Sequence, residues 1–308
     1  MKFAFVFPGQ GSQAVGMMSA YADFAVVRET FDEASSALGF DLWAMVADGP
    51  AELLAQTVNT QPIMLTAGVA VWRAWQSLGA PAPAVVAGHS LGEYAALVAA
   101  GAIDFKDAVP LVRFRAQAMQ EAVPAGEGGM AAILNLAPEE VAAACAEAAQ
   151  GQIVGAANLN SPVQIVIAGH AAAVERAMEA CKVRGAKRAV PLPVSAPFHC
   201  ELMRPAAERL AARLAEVEFR APAIPVLNNV DVAVESDPAR IRDALVRQAY
   251  SPVRWIETVQ AMHAQGVTRV AECGPGKVLA GLVKRIEASL EVDALTDADS
   301  VRRLREAL

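Results

Sequence analysis

Apolar positions along the chain follow two rhythms: short continuous runs, and stripes recurring every three or four residues. Lys2-Phe3-Ala4-Phe5-Val6-Phe7 is an aromatic and β-branched run closed by Pro8-Gly9-Gln10-Gly11, which predicts a buried strand entering a tight turn. Residues 21–38 carry Phe24, Val27, Phe31, Ala34 and Leu38 at helical spacing, and residues 62–78 read as a helix entered at Pro62. Ala84-Val85-Val86-Ala87 returns to strand, followed by helices over 91–100 and 106–122. Strands alternating with helices predict a parallel sheet covered on both faces.

From Gly129 the pattern changes to strand (130–134), helix (138–148), strand (153–159), strand (163–168), helix (171–184) and strand (187–192). That β-α-β-β-α-β order is the ferredoxin-like signature. Glycines at 126, 128 and 129 and prolines at 191, 193 and 197 mark its borders. Residues 128–197 therefore read as a small domain inserted into a large one made of 1–127 and 198–308. Alternation resumes with helix 201–216, strand 224–227, helix 238–249, strand 267–272 and a helix after Gly274-Pro275-Gly276. The fold class expected is α/β.

The 308 residues are 55% hydrophobic and carry 26 Lys+Arg against 33 Asp+Glu, a net charge of −7. That excludes disorder and leaves no overall basic field to gather nucleic acid or an anionic membrane. Cys145, Cys181, Cys200 and Cys273 lie far apart without a C-x-x-C pair, which argues against a zinc ribbon, a redox pair or a disulfide scaffold. No run approaches the roughly 18 apolar residues of a membrane helix, and the opening run is too short for a signal-peptide core. A soluble cytoplasmic protein without a metal site is the expectation.

Gly88-His89-Ser90-Leu91-Gly92 matches G-x-S-x-G between a predicted strand and a predicted helix, the context that motif requires. It would present Ser90 as a nucleophile on a strained turn above the sheet; the plainer reading is a βα turn built from small residues. A serine needs a base, and the histidines are His89, His170, His199 and His263. His89 would point away from its neighbour, while His170 and His263 suit helix ends. His199 closes the proline-restricted Ser195-Ala196-Pro197-Phe198-His199 at the proposed domain junction, where clefts form. Gly9-Gln10-Gly11-Ser12-Gln13 suits an oxyanion hole together with the Leu91 amide. It also satisfies G-x-G-x-x-[GA], but the acidic residues near 32–33 fall in a helical pattern instead of ending a second strand, so a dinucleotide site fails on context.

Helix 106–122 places Ala108, Leu111, Val112, Ala118 and Met119 on the same stripe as Arg115. A guanidinium facing the core needs an anion. Either a protein carboxylate or a substrate carboxylate would serve.

Together Gly9 to Gln13, Gly88 to Glu93, Arg115, Ser195 to His199, Arg247-Gln248 and Gly274 to Gly276 resemble the malonyl-coenzyme A:acyl-carrier-protein transacylase family of bacterial fatty acid synthesis. The likeness runs almost end to end. It implies an α/β-hydrolase-like domain with a ferredoxin-like insertion, Ser90 as nucleophile, His199 as acid–base, and the Gln10 and Leu91 amides as oxyanion hole. Arg115 would grip the malonyl carboxylate, Gln248 would hold the histidine through its main-chain carbonyl, and Asn160 and Asn229 would line the substrate cleft. It also implies malonyl-CoA as substrate, acyl carrier protein as partner and no tightly bound cofactor; a monomer is the expectation.

An acidic carrier protein needs a basic surface. Lys182, Arg184, Lys187 and Arg188, with Lys284 and Arg285 as a second group, are candidates; the alternative is a solvated helix end, where cations suit the dipole. The rival function is a serine esterase or thioesterase of α/β-hydrolase type. It would leave Arg115 without a purpose.

Overall fold

A computed structural model describes residues 2–308. Its strands are β1 (Phe3–Phe7), β2 (Val85–Gly88), β3 (Gly128–Leu134), β4 (Val154–Ser161), β5 (Gln164–His170), β6 (Arg188–Pro191), β7 (Val226–Leu227), β8 (Arg269–Cys273) and β9 (Glu291–Leu295). A parallel sheet runs in the order β7-β2-β1-β8-β9, and an antiparallel sheet in the order β4-β5-β3-β6. The second is the ferredoxin-like arrangement that β-α-β-β-α-β connectivity generates.

Strand β1 lies at the centre of the parallel sheet and is buried on both faces, as such strands require. Phe3, Phe5 and Phe7 join one core, where Phe5 meets Trp75 edge-on at 5.2 Å, while Ala4 and Val6 join the core on the other face. The antiparallel sheet also divides its residues by the two-residue period. Ala131 and Ile133 of β3 pack with helices Pro138–Ala149 and Ala171–Val183; Met130 turns the other way, into a cluster with Val166 and Cys200.

The second predicted helix starts earlier than expected, spanning Thr57–Ser77 with Pro62 inside it. Thr57, Asn59, Thr60 and Gln61 are buried, so the first turn is polar yet internal, and the periodicity of apolar residues missed it. Strand 224–227 shortens to two residues, and helix 201–216 becomes a 3-10 turn followed by helix Arg204–Ala215. Helices Leu42–Asp48, Ala51–Ala55, Trp255–Ala264 and Ala298–Ala307, and the edge strand β9, were not anticipated. Among the described residues no helix is long and apolar enough to cross a membrane, and no cluster of His, Cys, Asp and Glu could hold a metal ion.

Candidate active site

Strand β2 ends at Gly88, and the chain reverses through His89-Ser90-Leu91 into helix Gly92–Ala99. The bend tolerates no side chain at its flanks. A Cβ on Gly88 would lie 1.9 Å from the Gly92 carbonyl carbon, one on Gly92 would lie 2.0 Å from the Phe7 carbonyl oxygen, and one on Gly9 2.6 Å from that of His89. Between these contacts Ser90 takes φ 52°, a left-handed conformation costing roughly 1–3 kcal/mol, which the surrounding contacts must sustain. Asn229 helps sustain it: its Oδ1 accepts from the Ser90 N–H at 2.7 Å and its Nδ2 donates to the Gly88 carbonyl at 2.7 Å.

His199 sits opposite at φ 60° and is 3% exposed. Its Nδ1–H donates to the main-chain carbonyl of Gln248 at 2.9 Å, which fixes the tautomer and leaves Nε2 to accept from Ser90 Oγ at 2.6 Å. Burial, then the nearby Arg115 charge, lowers the imidazole pKa to about 3, so the ring rests neutral and ready to take a proton.

Arg115 lies on the buried stripe of helix Phe105–Glu121, over the ring of Tyr94 at 5.5 Å. Its partners are neutral. Nη1 donates to Gln61 Oε1 at 2.8 Å, and Nη2 donates to Gln248 Oε1 at 3.0 Å and to Ser90 Oγ at 3.3 Å. Nε has no partner, so the guanidinium keeps donors in reserve beside the serine. Of the two partners left open by the sequence, no protein carboxylate pairs with it among the described residues.

The main-chain N–H groups of Gln10 and Leu91 donate to no protein acceptor among the described residues, and both residues line the same cavity. The Gln10 side chain points elsewhere, donating to Thr57 Oγ1 at 3.1 Å, and Thr57 Oγ1 in turn meets Ser195 Oγ at 3.0 Å. This chain ties the first loop to the loop that carries His199. The cavity measures about 370 Å³; Ser90, Arg115, Met130, Asn160, Val166 and His199 are among its walls.

Asn160, on β4, faces the cavity and meets His89 Nε2 at 2.7 Å, so the motif's histidine joins the two sheets. Asn229 does not line the cleft. It lies fully buried beneath the elbow with both ends of its amide engaged, which corrects its assignment to substrate. The cations expected to dock a carrier are dispersed: none lines the cavity. Arg184 pairs with Glu140 and Glu147 at 3.1 and 3.0 Å, and Lys182 with Glu179 at 2.6 Å, so these two suit the helix-end reading. Lys284 bonds the Leu290 carbonyl, whereas Arg285 reaches Gln164, a residue of the cavity wall. Lys187 and Arg188 form no ion pair among the described residues.

Sequence reasoning missed Gln61, Thr57, the side chain of Gln248 and Glu93. Glu93 was discoverable as Arg115 was, being the single charged residue between Ser90 and Asp104 in an otherwise apolar stretch.

Residues 4–305 match the acyl transferase domain family. The chain is 60% identical over 297 residues to a malonyl CoA-acyl carrier protein transacylase of Salmonella typhimurium, covering 96% of each. It superimposes on the crystal structure of an acyl carrier protein S-malonyltransferase from Vibrio cholerae with a TM-score of 0.97 and 62% identity, covering 99% of this chain and 100% of the other. A malonyl-transacylase solved in complex with its type II PKS acyl-carrier protein gives a TM-score of 0.99 and 55% identity, covering 100% of both chains.

Proposed function

We propose, from the premise that the chain belongs to the acyl transferase family, that it carries a malonyl group from malonyl-CoA to the phosphopantetheine thiol of acyl carrier protein through an ester on Ser90. The observation that carries the reading is a buried guanidinium with unengaged donors, 3.3 Å from the hydroxyl that His199 activates. A nucleophile beside a carboxylate receptor selects an acyl group that ends in a carboxylate.

In the first half-reaction Ser90 Oγ attacks the thioester carbon while its proton passes to His199 Nε2. The free amides of Gln10 and Leu91 receive the developing oxyanion. The C–S bond breaks, and the coenzyme A sulfur takes the proton from the imidazolium. In the second, the carrier thiol gives its proton to the same nitrogen, attacks the ester carbon and releases Ser90, which recovers the proton. Thioester is exchanged for thioester, so neither metal nor redox cofactor enters the balance. One chain supplies every group named, which fits a monomer acting in the cytoplasm, with 1–127 and 198–308 as the catalytic unit and 128–197 as the wall across it. Arg285, which reaches Gln164 of the cavity wall, is the better placed of the cations for the carrier.

Intact mass after incubation with malonyl-CoA tests the reading. A malonyl adduct that is lost in Ser90→Ala and discharged by carrier protein is expected. An adduct discharged as fast by water alone would make the protein a thioesterase instead.

A further inference from the structure

Glu93 follows the nucleophile by three residues, is 2% exposed, and has no part in the reaction just described. Its Oε2 accepts from the Asn229 N–H at 2.9 Å and from Gln248 Nε2 at 2.9 Å. The other end of that amide, Gln248 Oε1, accepts from Arg115 Nη2 at 3.0 Å. The amide has one workable orientation, because reversing it would set oxygen against carboxylate and NH₂ against guanidinium. Gln248 thus lies between a buried anion and a buried cation as a bridging dipole, while Nε2 also donates to the Ser90 carbonyl at 3.0 Å. A direct ion pair would fill the guanidinium; this arrangement stabilises it and leaves its remaining donors open.

We propose that Glu93 is the counter-charge of Arg115, held at one amide's remove by Gln248, and that loading a malonyl carboxylate onto Arg115 draws a proton onto Glu93. The inference rests on the malonyl reading above. Glu93 is a positioning residue and touches no reacting atom. The charged and titratable groups around it are Arg115 and Tyr94 on the side of the site, Asp231 in the following loop, and Glu235, which shares a small void with it. Burial raises its carboxyl to about 7, against the opposing pull of the Gln248 and Asn229 hydrogen bonds and of Arg115, so it sits where a second anion can tip it. A substrate carboxylate on Arg115 offsets that last attraction. Proton affinity at Glu93 then rises, and malonyl binding weakens with increasing pH because the ionised Glu93 competes for the same cation.

Calorimetry on Ser90→Ala, which binds without acylating, tests this with malonyl-CoA and acetyl-CoA in buffers of low and high ionisation enthalpy at pH 7. For a tenfold rise in the proton affinity of Glu93 on loading, malonyl-CoA takes up roughly 0.4 of a proton more than acetyl-CoA, which carries the same coenzyme phosphates. Adding Glu93→Gln should abolish that excess and tighten malonyl-CoA binding about twofold at pH 7 and about fivefold at pH 8. Binding without excess uptake, or equal uptake in the double variant, would overturn the proposal, the latter by moving the proton to another group such as His199. Should the double variant not fold, the single variant decides: its malonyl-CoA affinity must fall about fivefold from pH 6 to pH 8 while its acetyl-CoA affinity does not. Failure to bind malonyl-CoA at all would remove the malonyl reading first, and this inference with it.

Discussion

The two sheets face one cavity and contribute to it in different ways. The parallel sheet delivers its chemistry at the carboxyl ends of its strands: β1 runs into the Gln10 loop and β2 into Ser90, while Arg115 and Gln248 arrive on helices packed around it. Around the Ser90 elbow and the Gln10 loop the main chain packs so closely that a Cβ at Gly9, Gly88 or Gly92 would overlap neighbouring backbone. The antiparallel sheet offers a face of side chains: Met130 and Ala132 reach the cavity by alternation along β3, Val166 from β5, and Asn158 and Asn160 from β4, whose register shifts between Ala156 and Asn158 and again between Leu159 and Ser161. A wall of that kind can change residue by residue without moving the backbone. The proposed nucleophile, base and carboxylate receptor therefore all belong to the region around the parallel sheet, and the antiparallel sheet adds a wall of side chains.

Substitutions on either side can break that division. His199→Ala, on the reactive side, should lower the rate of acylation by on the order of 10⁴-fold, measured by stopped flow with saturating malonyl-CoA. In the unaltered protein the same rate should stay flat from about pH 8 down to about pH 5, since the ring holds its neutral form until about pH 3; a fall centred near 6.5 would mean that the histidine is not desolvated. Stability, unlike the rate, falls within that window. As pH drops below the unfolded value near 6.5, the denatured chain binds a proton that buried His199 refuses, so this group's contribution is lost between there and about 3.

Arg115→Ala should cut malonyl transfer at least 30-fold more than acetyl transfer, the worth of a charged hydrogen-bonded pair at about 2 kcal/mol. Equal losses for the two acyl groups would make the arginine part of the scaffold. Met130→Ala, in the antiparallel wall, is the mildest: KM for malonyl-CoA should rise by about threefold with kcat kept, in keeping with the transfer energy of one partly used side chain. A kcat loss approaching that of His199→Ala would erase the distinction between the sheets.

The same contrast explains what could be read from the sequence. Elbow and insertion were legible because each follows from a local rule: glycines where a Cβ has no room, and runs of residues whose period changes at a border. Arg115 was legible as a charge on an apolar stripe. The polar first turn of helix Thr57–Ser77 was not, because Thr57 and Gln61 find their partners far along the chain, at Gln10, Ser195 and Arg115. Asn229 failed for a related reason. Its role beneath Ser90 is a contact across 139 positions of chain, and a polar residue near a cleft looks the same from sequence whether it faces substrate or scaffold. Edge strand β9, with Glu291 and Asp293 inside it, pairs with β8 through backbone groups that its composition does not advertise.

His199 is steadied by a peptide carbonyl, whereas most hydrolytic serines rely on an acidic side chain at that place. No codon change at 248 other than one that reshapes the helix can delete that acceptor. Variation there reaches only the amide side chain, so evolution is free to retune how the cation and the acid communicate while the imidazole keeps its orientation.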